Sequence, residues 1–125
     1  VLVLAVPGDE SDALLADLTE REDLCLLRVA TAAAATHTIH EMPVALVIAC
    51  PATPAQAIDA VLAGIDARRP GTPVIAVRDR KAPERAAWSE QGVAVLRMPL
   101  VPGVLSRSVD VVLGMRGKLQ KGVAR

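Results

Sequence analysis

Val44-Ala45-Leu46-Val47-Ile48-Ala49-Cys50 is apolar throughout, and Thr53-Pro54-Ala55-Gln56 opens a different pattern just beyond it. A short aliphatic and β-branched run without alternation marks a strand buried on both faces. The segment after it has the features of a helix start. Thr53 can cap the N-terminus, Pro54 fits the first helical position and Gln56 can return the capping-box bond. Ile58, Val61, Leu62 and Ile65 then recur at helical spacing until Arg69-Pro70-Gly71 stops the pattern. A buried strand followed by an amphipathic helix is half of a βαβ crossover, the connection that parallel strands require.

The same pairing extends outward in both directions. Upstream, Val1-Leu2-Val3-Leu4-Ala5-Val6 ends at Pro7-Gly8 and reads as a central strand. Leu14, Leu15 and Leu18 follow on one helical face, with Asp9 or Ser11 as cap and Asp12 in the first turn. Residues 24–30 form a second strand candidate, in which Arg28 indicates a sheet edge with one wet face. The Ala-rich residues 31–42 have high helix propensity and end before Pro43. Downstream, residues 73–77 read as a strand, 83–90 as a short helix closed by Gly92, and 93–96 as a further strand. After Pro99 and Pro102-Gly103, a last helix carries Val104, Leu105, Val109, Val112 and Leu113 on or near one side. This succession predicts an α/β fold, a flavodoxin-like (βα)5 doubly wound parallel sheet with strand order 2-1-3-4-5. The domain is expected over residues 1–115, with 116–125 as a basic tail or linker.

Composition narrows the function. The chain has 125 residues, enough for one domain. A domain of that size buries about two-thirds of its unfolded surface, without help from disulfides or a metal. Trp88 is the sole aromatic residue, so the core must be built from Val, Leu, Ile and Ala. Fourteen basic and fourteen acidic residues cancel, leaving no global field for nucleic acid or an acidic membrane. Arg116, Lys118, Lys121 and Arg125 bias the tail positive, but no aromatic residue is there to stack on bases, so a linker is the plainer reading. Cys25 and Cys50 lie in apolar runs and read as buried free thiols. Neither a membrane-length apolar run nor a signal-peptide pattern occurs, and a cytoplasmic location is the default expectation.

Chemistry in such a sheet sits beyond the carboxyl ends of the strands, near the switch point between strands 1 and 3. The residues expected there are Ala5, Val6 and Pro7; Ala49, Cys50 and Pro51; Val77, Arg78 and Asp79; and Arg97, Met98 and Pro99. Magnesium requires hard oxygen ligands, yet Asp9 and Glu10 lie past a Pro-Gly turn and Asp59 falls inside a helix. Asp79, flanked by Arg78 and Arg80, reads as a surface ion-pair partner. Pro7-Gly8-Asp9-Glu10-Ser11 has one glycine and two acids, which is no phosphate cradle. Cys50 precedes a helix N-terminus that can lower a thiol pKa, but it has neither a C-x-x-C partner nor a placed His base. His37 and His40 share a helical face next to Glu41 without a suitably spaced third ligand, and read as a solvated face. Trp88 is open to three readings: a lid over the sheet edge, a partner anchor, or core.

From residue 1 to about 114 the chain resembles a response-regulator receiver domain. The resemblance places Ala5-Val6-Pro7 where that family holds its acidic pair, and Ala49 or Cys50 where it holds the phosphate-accepting aspartate. Arg78 falls near the family's strand-4 Ser or Thr, Val95 at its switch aromatic, and Met98-Pro99-Leu100 at its Lys-Pro-aromatic signature. Receivers often hold that last proline cis, so a cis Met98–Pro99 bond is expected. The resemblance thus implies an atypical or pseudo-receiver with no cofactor, no acyl phosphate and no enzymatic activity. It implies signalling through a protein surface, by dimerisation or by contact with an attached output domain. The implied face comprises the helix before strand 5, strand 5 and the last helix, with Arg85, Trp88, Arg97, Arg107 and Asp110 as its polar and aromatic candidates. The alternative within the same fold is a small-molecule or nucleotide sensor lined by Val6, Cys50 and Met98. A thiol enzyme centred on Cys50 and direct DNA recognition rank lower. In every version the crevice is expected to present hydrocarbon, a thiol and a thioether, and no charge.

Overall fold

A computed structural model describes residues 2–4, 9–19, 26–51, 53–68, 72–81, 88, 91, 93–98 and 103–124. Five strands, β1 (Leu2–Leu4), β2 (Leu27–Val29), β3 (Val47–Ala49), β4 (Val74–Arg78) and β5 (Val93–Arg97), form one parallel sheet in the order β2-β1-β3-β4-β5. The described helices are α1 (Asp9–Thr19), α2 (Ala32–Glu41), α3 (Ala55–Arg68) and α4 (Val104–Ala124). Of the short helix expected over residues 83–90, only Trp88 is among the described residues, and it is helical. Cys25 also lies outside them.

Local chemistry accounts for the helix ends. Thr31 is extended and its Oγ1 accepts from the Ala34 amide at 3.1 Å, so the Ala-rich run begins where a hydroxyl can cap it. Pro54 accepts the first helical bond of α3, from the Ile58 amide at 3.3 Å. It therefore stands at the threshold of the helix, one residue outside the position expected for it. Gly103 accepts from Arg107 at the start of α4 with a φ of 88°, a conformation in which a side chain is strained. The last helix continues to Ala124, through the segment expected as a tail.

Strand alternation sorts the core into two clusters, one on each face of the sheet. Val47, Ala49, Val74, Ala76 and Val93 join Ala35, Ile39, Ile58, Val61, Leu62, Ile65 and Trp88 on the α2–α3 face. Val3, Ile48, Cys50, Ile75 and Val77 join Leu15, Leu18, Leu105 and Val109 on the α1–α4 face. Because β3 and β4 contribute to both clusters, their sequences are apolar at successive positions. β2 is at the sheet edge, with Leu27 and Arg28 exposed, as the charge at Arg28 indicates.

The helices on the first face approach closely at Gly64. A Cβ built there would lie 2.9 Å from Thr36 Cγ2, and the Thr36 hydroxyl is itself held on the Ala32 carbonyl at 2.9 Å. A β-branched side chain so fixed has little room to turn away. Gly64→Ala is therefore expected to lose about 1–2 kcal/mol despite its better helix propensity, and Thr36→Ala should relieve most of that loss. Urea titrations of both single variants and the double variant measure this. A stabilised Gly64→Ala protein would show that the helices separate freely.

Candidate functional site

Parallel register brings the carboxyl ends of β3, β4 and β5 to one edge of the sheet. Ala49 pairs with Ala76, Arg78 pairs with Arg97, and the Met98 amide continues the ladder onto the Arg78 carbonyl at 2.9 Å. Among the described residues, the candidates assembled from sequence are divided between the two faces of the sheet. Ala49 and Cys50 are both buried, 2% and 1% exposed, but as neighbours on a strand they face opposite sides of the sheet. Cys50 and Met98 belong to the α1–α4 side, against Ile48, Val77 and Leu96. Ala49 belongs to the α2–α3 side. Ala5, Val6 and Pro99, with the Met98–Pro99 bond, lie outside the described residues.

The α2–α3 side holds the polar chemistry. Arg78 continues the alternation of Val74 and Ala76, so its side chain starts out on their face. It is 4% exposed, and its Nη1 donates to the backbone carbonyl of Thr53, in the connection between β3 and α3. Its guanidinium carbon sits 5.6 Å from the centroid of the Trp88 ring, within cation–π range. The indole Nε1–H in turn donates to Asp59 Oδ1 on α3 at 2.8 Å. Thr53 is also buried, and its amide donates to the Cys50 carbonyl at 2.9 Å, closing the turn that leaves β3.

Three expectations change here. The crevice is not free of charge, because the guanidinium of Arg78 is buried in it, directed inward against Thr53 and Trp88. Trp88 is 0% exposed and serves as core, since an indole with its ring on a guanidinium and its N–H on a carboxylate cannot also anchor a partner. It therefore leaves the proposed interaction face. Asp59, set aside as a helix residue, is the acceptor that holds it. Parity was the available signal for Arg78: counted from Val74, the charge falls on the same buried face.

The remaining candidates are more dispersed. Arg97 is partly buried, with Nη1 on the Asp79 carbonyl at 3.0 Å. Arg107 and Asp110 are exposed on α4, beside Val111 at 54% exposure; Arg85 lies outside the described residues. Cys50 is buried, outside any disulfide and packed among hydrocarbon, while His37 and His40 are exposed on α2, a helix that packs on the opposite face. Among the described residues no group of three or more His, Cys, Asp or Glu is placed to hold a metal ion. No helix among them is long and apolar enough to cross a membrane.

The fold and this edge define a parallel α/β domain with a cation built into its crevice. No protein-family model and no curated protein sequence matches the chain. Among solved structures, the lysine decarboxylase LdcF of Francisella novicida aligns over 90% of this chain with a TM-score of 0.70 and 12% identity. The chain spans 16% of that protein's length, and the likeness is one of fold.

Proposed function

We propose that this chain is a phosphorylation-independent regulatory domain of receiver-like, flavodoxin-type (βα)5 architecture, acting through a protein surface. One observation carries the reading: the edge where a receiver keeps its phosphoryl chemistry holds Ala49, Cys50 and the buried guanidinium of Arg78. A guanidinium donates hydrogen bonds and accepts none, so it offers no metal ligand and cannot replace the carboxylate that forms an acyl phosphate. Alignment with a minor part of a larger chain supports a module that serves other domains.

The surface in question is the outer side of α4, where Arg107, Asp110, Val111 and Gly114 share one exposed helical face. Arg97 at the end of β5 adds a partly buried charge. An attached output domain, a partner protein or a second copy is the class of ligand such a face takes, in a cytoplasmic setting that keeps Cys50 reduced. Incubation with acetyl phosphate and magnesium, read by intact mass, is expected to leave the chain unmodified. Stoichiometric gain of a phosphoryl group sinks the reading.

A further inference from the structure

We infer that Arg78, Trp88 and Asp59 form a lock that holds the domain in one arrangement, with the buried guanidinium as its centre. The contacts run from the Thr53 carbonyl to Arg78, from Arg78 to the Trp88 ring at 5.6 Å, and from the indole N–H to Asp59 at 2.8 Å. Thr53 and Asp59 belong to the same stretch, the entry and early turns of α3. The chain of contacts therefore starts and ends on one element and passes through β4 and the indole on its way.

A closed loop of this kind behaves as a unit. Arg78 and Trp88 are each oriented by two neighbours, so losing either end of the loop loosens the next member, and low local polarity strengthens what remains only while the loop is intact. Burial sharpens the effect. A guanidinium at 4% exposure has given up its water, and the alternatives to its present partners are to stay buried without them or to turn out to solvent. Intermediate positions are disfavoured. A permanent internal cation thus fixes the start of α3 against β4. The lock acts inside the α2–α3 face and does not depend on which partner the outer face takes.

The single tryptophan reports on the lock without a label. In the native protein its indole N–H should give one sharp NMR resonance with no millisecond exchange broadening. Arg78→Gln is expected to broaden or split that resonance, and to speed indole hydrogen exchange about 10- to 100-fold, as loss of a charged hydrogen-bond donor implies. Asp59 is exposed, so Asp59→Ala tests the other end of the loop in a variant whose core is untouched. Arg78→Gln and Asp59→Ala should also fail to multiply: the double variant raises the unfolding constant about as far as Arg78→Gln alone. A sharp, unshifted indole resonance in Asp59→Ala, or single-variant effects that multiply in full, overturns the lock. Phosphoryl uptake from acetyl phosphate would overturn the signalling reading and leave this result standing.

Discussion

Replacing Trp88 with alanine is expected to lower the unfolding free energy by about 3–5 kcal/mol, the usual range for emptying a buried aromatic site. Domains of this kind have about 5–15 kcal/mol in total, so the loss is a large share of the stability. The side chain is completely buried, and it packs in the cluster that contains Ile58, Val61 and Val93. It is also the sole Phe, Tyr or Trp in the chain, so no comparable aromatic side chain can move in to fill the space. Trp88→Phe separates packing from polarity. Phenylalanine keeps most of the apolar area but loses the donor to Asp59 and offers the guanidinium a weaker face. Because Asp59 is exposed, water replaces the lost donor, and the cost should be about 1 kcal/mol. Urea denaturation followed by far-ultraviolet circular dichroism measures both, since the fluorophore is removed. A loss below about 1 kcal/mol for Trp88→Ala would mean that the ring does not sit in the core.

The sequence shows the architecture clearly because the core is aliphatic and carries few competing signals. Residues 44–50 read as interior strand because they lack alternation, and β3 does feed clusters on both faces. The Ala-rich tract from residue 31 and the threshold proline of α3 mark helix starts to within a residue. Arg28 indicated the edge strand for a simple reason: a charge in a short strand needs one wet face. The candidate site was harder to see. Listing strand-end residues treats the edge as one pocket, whereas a sheet is a partition and adjacent strand residues are on opposite sides of it. Ala49 and Cys50 look equivalent in such a listing although they face different cores. The flanking pattern Arg78-Asp79-Arg80 suggests a surface ion pair for Asp79 and says nothing of where the Arg78 side chain goes. What buries it is tertiary: an acceptor carbonyl at Thr53, 25 residues earlier in sequence, and an indole at Trp88, beyond the end of β4. Those contacts leave no local pattern.

The partition by the sheet makes the two positions that match a receiver's aspartate unequal, and restoring an acid at each should show it. Cys50→Asp places a carboxylate among Leu46, Ile48, Ile75 and Val77, with hydrocarbon on its side of the sheet. An uncompensated buried charge costs about 3–5 kcal/mol, so at pH 7 the variant should be destabilised by that order. Burial raises the folded pKa of such a group above its unfolded value of about 3.9. Between those two values the folded state binds more protons than the unfolded state, so stability falls as pH rises. The penalty should therefore be largest at neutral pH and ease as the pH is lowered toward 4. Ala49→Asp puts the acid on the face that holds the Arg78 guanidinium, which favours the ionised form. Its loss should be about 1–2 kcal/mol smaller and its dependence on pH flatter. Urea titrations of both variants at pH 7 and at pH 5 compare them directly. Equal losses with equal pH dependence would show that the buried cation exerts no field on its own side of the sheet, and the guanidinium could then no longer be regarded as the centre of the site.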